Sequence, residues 1–270
     1  MAAPFGGPRR LGTIIMKLGE FDVLTFDCYG TLIDWEDGIY AALRPLLSRA
    51  GIARDGGAPS PSATSWSRSG VAWSRDAVLQ AFARTEVRQQ ENTPGMIYSD
   101  LLAEVHGQLA TKFDVAPDPA EAAGFGASIA DWPAFPDTVE ALQYLRRHFR
   151  LVILSNVDRA SFQGTNNRLG VTFDAVYTAQ EIGSYKPDPR NFSYLVDRLR
   201  EQGMVQRKIL HVAQSLFHDH VPAKAIGLAR AWIDRRGSGW GATAPVTAEV
   251  GYDFRFTSLG ELAGSHRADG

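Results

Sequence analysis

One cysteine, Cys28, in 270 residues leaves no intrachain disulfide and no thiolate metal cluster. Neither sign of charge is in excess: 28 Lys and Arg stand against 30 Asp and Glu, a formal charge of −2 that offers no global field to nucleic acid or an anionic membrane. No apolar run nears the roughly 20 residues of a membrane span. Lysine is scarce, with only Lys17, Lys112, Lys186, Lys208 and Lys224 beside many arginines, so a lysine inside a motif stands out. What is abundant is apolar side chain, 44% of the chain, enough for a substantial core. These features predict a soluble cytoplasmic protein with no nucleic-acid or membrane partner. Residues 1–19 read as a loose extension rather than a signal peptide, because the apolar stretch after Arg9 and Arg10 is short and broken by Gly12 and Thr13.

Five short apolar runs read as strands: 21–27, 151–155, 175–178, 209–213 and 228–234. Helical patterns at 138–148, 159–169, 191–201 and 218–226 flank the last four. Near-continuous apolar strands alternating with helices predict an α/β fold, a Rossmann-like parallel sheet covered on both faces. More than a hundred residues separate the first two strands, too many for a crossover. That stretch carries helical patterns at 35–50, 77–90, 98–110 and 119–130, and Tyr98, Leu101, Leu102, Val105 and Leu109 form an amphipathic stripe. The expected organisation is an α/β core of residues 20–34 and 131–270, with a helical domain of residues 35–130 inserted after the first strand. Its Gly-, Ser- and Pro-rich residues 51–74 read as a flexible loop.

In such sheets the chemistry collects beyond the carboxyl ends of the strands. The first strand ends in Asp27-Cys28-Tyr29-Gly30-Thr31 and the second in Ser155-Asn156. After the third comes Gly183-Ser184-Tyr185-Lys186-Pro187, and the fourth runs into Gln214-Ser215 and on to Asp219. A carboxylate, a hydroxyl–amide pair, an ammonium and a second carboxylate are the parts of a nucleophile, its charge stabilisers and a water-activating group.

These four motifs, in order and each at a strand end, resemble those of the haloacid dehalogenase superfamily of aspartate-nucleophile hydrolases, and the long insertion resembles its helical cap. Phosphatase members resemble D-x-D-G-T, with a second aspartate that protonates the departing alkoxide. Here Tyr29 takes that place, and Gln214 stands roughly where those enzymes keep a magnesium-binding acid. A departing halide needs no proton, so both departures resemble the L-2-haloacid dehalogenase branch, as does the run ending in Trp232 and Arg235. The resemblance implies conversion of short 2-haloacids to 2-hydroxy acids through an ester on Asp27, with no cofactor, by an enzyme that forms a homodimer. Lys186 would hold Asp27 ionised, Ser155 and Thr31 would orient it, and Asn156 would contact the halide or position water. Asp219, with Ser215 or Gln214, would handle the hydrolytic water. Tyr29 would shape the pocket. Arg84 would bind the substrate carboxylate, with Arg88 as its rival.

Other readings stay open on the same residues. A magnesium-dependent phosphatase or other hydrolase would use Asp27, Tyr29 and Asp219 as its metal site, and a binding protein could reuse the fold without catalysis. Ser155 and Asn156 also suit helix caps, and Asp219 suits a helix N-terminus. His218 and His220 hint at a metal pair but lack further ligands, and Gly124-Phe125-Gly126 lacks the third glycine of a dinucleotide loop. Cys28, one residue beyond Asp27, should face the opposite, packed side of the strand.

Overall fold

The computed structural model describes residues 16–52, 64–66, 72–236 and 250–269. Six parallel strands form one sheet: β1 (Val23–Phe26), β4 (Arg150–Ser155), β5 (Ala175–Thr178), β6 (Ile209–Ala213), β7 (Ala229–Ile233) and β8 (Phe254–Phe256), in the order β5-β4-β1-β6-β7-β8. The remaining strands, β2 (Thr64–Trp66) and β3 (Ala72–Ser74), pair antiparallel on their own. After β1 the chain builds outward through β4 and β5, then crosses back to lay β6, β7 and β8 on the other side. That reversal places β1 between β4 and β6, with the carboxyl ends of all three opening onto one crevice.

Period-two alternation divides the strand residues between two apolar layers. Leu24, Phe26, Leu151, Ile153, Leu210 and Val212 enter the larger cluster, while Val23, Val152, Leu154 and Ile209 face the smaller one. The smaller layer is closed by α9 (Pro189–Glu201), which lays down Phe192, Leu195, Val196 and Leu199. The larger is closed by α6 (Thr138–Leu145), α7 (Arg159–Leu169) and α11 (Leu259–Asp269). Short helices α8 (Ala179–Ile182) and α10 (Val221–Ala225) complete this half.

Between β1 and β4 lie α1 (Trp35–Ala42), α2 (Arg44–Arg49), α3 (Arg75–Asn92), α4 (Tyr98–Lys112) and α5 (Pro119–Ala127). Three of these starts are marked chemically: Asp34, Ser74 and Asp118 side chains accept from the first free N–H groups of α1, α3 and α5. Leu101, Leu102, Val105 and Leu109 of α4 are buried in the same cluster as the sheet's Leu24 and Phe26, so apolar packing runs without a break from sheet to insertion.

The differences from the sequence reading are local. The helix expected at 35–50 breaks at Leu43, ahead of Pro45, into α1 and α2. Within the expected loop 51–74, residues 64–66 and 72–74 are paired strands, and Ser74 caps α3; residues 53–63 and 67–71 lie outside the described residues, as do residues 1–15 of the expected extension. The C-terminal β8 and α11 were absent from the sequence pattern. Phe254-Arg255-Phe256 is too short to register as a strand, and Gly260 and Gly264 weaken the helical signal although Leu259, Leu262 and Ala263 form a buried stripe. Among the described residues no helix is long and apolar enough to cross a membrane.

Candidate active site

Asp27 leaves β1 on the side opposite Cys28. Leu24, Phe26 and Cys28 share the larger apolar layer, where Cys28 is fully buried, and burial pushes its thiol far from ionisation. The Asp27 carboxylate is 7% exposed and has one donor on each oxygen. Lys186 Nζ reaches Oδ1 at 2.9 Å, and the Thr31 hydroxyl donates to Oδ2 at 2.8 Å. Gly30 makes the turn that returns Thr31 to Asp27. Its φ of +97° suits glycine, and a Cβ there would press on Trp35 and the Gln214 amide oxygen.

Lys186 is 1% exposed and spends all three N–H groups: on Asp27, on the Leu154 carbonyl at 2.9 Å and on Asp219 Oδ1 at 2.7 Å. Burial would strip its proton, but the two carboxylates outweigh burial and hold it charged. Its backbone is clamped by Asn156, whose Oδ1 accepts from Lys186 N at 2.6 Å and whose Nδ2 donates to Lys186 O at 3.0 Å. Asn156 thus braces the lysine loop while lining the crevice. The cap of α7 is Asp158, not Ser155 or Asn156. Ser155 Oγ is buried at the end of β4 with no hydrogen-bond partner among the described residues.

The end of β6 supplies the other wall. Gln214 N donates to Thr31 Oγ1 at 2.9 Å, so this threonine relays a backbone N–H to Asp27. Trp232 Nε1 holds Gln214 O at 3.0 Å, and Arg235 holds the Thr31 carbonyl at 2.7 Å, which gives the expected run at the end of β7 a bracing part. Ser215 accepts from His218 N and opens a π-helical turn, Leu216–His220. That turn carries Asp219, 1% exposed. Its Oδ1 meets Lys186 and His211 Nε2 at 3.0 Å, whereas Oδ2 has no partner among the described residues. The His211 ring is held from behind by Thr25 at 2.9 Å. Burial favours a protonated Asp219, yet Lys186 and His211 prevail and hold the carboxyl well below its usual range. For Asp27 burial prevails instead and raises the carboxyl, with Lys186 and Thr31 opposing it.

Asp27, Asn156, Lys186, Gln214, Ser215 and Asp219 line a cavity of about 90 Å³ roofed by the insertion. Tyr29 lines it with its hydroxyl engaged by Thr165 at 2.8 Å and its ring edge-on to Trp132; burial pushes its phenol further from ionisation. From α3 the lining residues are Ala83, Glu86, Val87 and Gln90. That spacing is one helical stripe, and it corrects the expectation for Arg84 and Arg88. Residues two apart on a helix lie about 200° apart, so the stripe that presents Glu86 turns both arginines away. Both are exposed, outside the cavity lining. In their place the cavity receives Glu86, which accepts from the Tyr98 hydroxyl at 2.5 Å; burial, partly offset by that bond, lifts its carboxyl to about 7. His218, lining the opposite wall, is held by burial at about 4 and is neutral near pH 7.

A carboxylate, a buried ammonium and a second acid at the sheet's carboxyl edge can displace a leaving group and hydrolyse what forms. The sequence profile of haloacid dehalogenase-like hydrolases matches residues 21–212, most of the chain. The chain belongs to this family. Its fold is similar to that of a defluorinating L-2-haloacid dehalogenase (TM-score 0.70, 20% identity, covering 92% of this chain and 95% of the other). The L-2-haloacid dehalogenase from Xanthobacter autotrophicus is equally similar (0.71, 19%, 93% and 100%). So is the HAD-hydrolase YfnB from Bacillus subtilis, bound to magnesium (0.67, 15%, 92% and 99%). At these identities the likeness is one of fold. No curated protein matches the chain.

Some family members hold magnesium, and the donors here fit it poorly. Asp27 and Asp219 already share the Lys186 ammonium, Tyr29 offers a phenol engaged by Thr165, and Gln214 offers a neutral amide. Among the described residues no group of three or more His, Cys, Asp or Glu side chains could hold a metal, and His220 turns its Nε2 to the Ala213 carbonyl. No motif in the sequence marks Glu86, Gln90, Tyr98 or Trp132 as part of the site. The first two were within reach through the i, i+3, i+4, i+7 stripe of α3; Tyr98 and Trp132 reach the cavity only through tertiary packing.

Proposed function

We propose that this hydrolase is a metal-independent dehalogenase, in which Asp27 displaces halide from carbon. The observation that carries the reading is Tyr29. Two residues after the attacking carboxylate, where an alkoxide leaving group would need an acid, stands a phenol engaged by Thr165 and shifted away from ionisation. Halide departs with the bonding pair and needs no proton. In the first step an Asp27 oxygen bonds to carbon as the carbon–halogen bond breaks, with Lys186 and Thr31 holding the carboxylate. In the second, water polarised by the open Oδ2 of Asp219 attacks the Asp27 carboxyl carbon. The ester opens, the product leaves as an alcohol with one proton from water, and the other proton is released. Four groups recognised as motifs, Asp27, Thr31, Lys186 and Asp219, thus act as one hydrogen-bonded set.

The alternative, magnesium-dependent phosphate release, is favoured by the same unpartnered Asp219 oxygen, while the donor set around it speaks against it. The test is halide release from small organohalides in EDTA, beside phosphate release from a generic ester with magnesium. Halide release that survives EDTA and vanishes in Asp27→Asn supports the proposal. Phosphate release alone, and only with magnesium, would overturn it.

A further inference from the structure

Among the described residues the cavity contains no free cation. Lys186 is the only lysine or arginine among its described lining residues, and its three N–H groups are consumed. His218 is neutral, and Arg84 and Arg88 face solvent. Against that single spent ammonium stand three carboxyl groups, Asp27, Asp219 and Glu86. A substrate carboxylate brought here would be desolvated among like charges with no free cation to compensate it. The roof offers acceptors instead. Tyr98 and Gln90 both donate to Glu86 Oε1, and no described residue bonds Oε2.

Building on the dehalogenation reading, we infer that Glu86 selects a neutral α-haloamide over a haloacid, by accepting the substrate's amide N–H at Oε2. The chemistry is preserved, because an amide carbonyl activates the adjacent halogen-bearing carbon towards displacement as a carboxyl group does. Only the recognised group changes, from an anion to a donor. Because Glu86 titrates near 7, the contrast is largest above that pH, where the roof is ionised.

Chloroacetamide and chloroacetate are near-isosteric and differ only in N–H donor against anionic oxygen. Chloride release from each is measured at pH 8 and counted as the excess over Asp27→Asn. A hydrogen bond to a charged acceptor predicts a kcat/KM for the amide roughly tenfold to a hundredfold above that for the acid. Glu86→Gln, which can donate as well as accept, should bring the ratio to about one, and Glu86→Ala should do the same where packing around Gln fails. A preference for chloroacetate in the unmodified protein overturns this inference and leaves the dehalogenation reading standing. An amide preference unchanged in both Glu86 variants overturns the role of Glu86. Release from neither compound overturns the dehalogenation reading together with the inference.

Discussion

Replacing Lys186 with methionine removes one charge and exposes two. The ammonium lies 2.9 Å from Asp27 Oδ1 and 2.7 Å from Asp219 Oδ1, and all three groups are buried. At an effective dielectric constant of 20, each contact is an attraction of about 6 kcal/mol, much of which offsets the cost of desolvating the charges. Removing the shared partner should cost about 3–5 kcal/mol, because uncompensated buried charge remains. The protein has a way to limit that loss: Asp27, whose carboxyl is already raised, takes up a proton. The folded variant then holds a proton that the unfolded chain has lost above about pH 4. Folding binds more protons over that window, so the variant's stability falls as pH rises, by about 1.4 kcal/mol per unit. Urea unfolding of both proteins at pH 5 and pH 8 reads this directly. The expected destabilisation is about 3–5 kcal/mol at pH 8 and most of it is gone at pH 5. A loss below about 1 kcal/mol at pH 8, or one independent of pH, would refute the view that Lys186 compensates two buried carboxylates.

Thr31→Val removes the relay between Gln214 N and Asp27 Oδ2; it should cost about 1–3 kcal/mol in chemical denaturation, since one buried donor and one carboxylate oxygen both lose a partner. His211→Leu takes a hydrogen bond from Asp219 and raises its carboxyl. The acid limb of the pH–rate profile should move upward, and the Asp27 ester should accumulate in mass spectra of quenched protein.

Strand ends were the most legible part of the molecule, because a buried parallel strand announces itself by apolar content and its chemistry must sit just beyond it. Asp27, Lys186 and Asp219 stand out in this way from the sequence alone. The roof was harder to read. The family resemblance points to Arg84 as the cap arginine, and a resemblance in residue type says nothing about which way a helix is rotated. Only the stripe of Ala83, Glu86, Val87 and Gln90, packed against the crevice, fixes that rotation. The clamp of Asn156 on the Lys186 backbone and the bond from Tyr98 to Glu86 join residues that share no local pattern, so only the fold reveals them.

The central claim is that Asp27 forms a bond to the substrate. A single turnover with enzyme in excess, in water labelled with oxygen-18, tests it most directly, using whichever organohalide releases halide fastest. If Asp27 attacks carbon and water attacks Asp27, the product's new oxygen is unlabelled and the label appears in the peptide that contains Asp27. Labelled product in that first turnover, with no label in Asp27, would contradict the account.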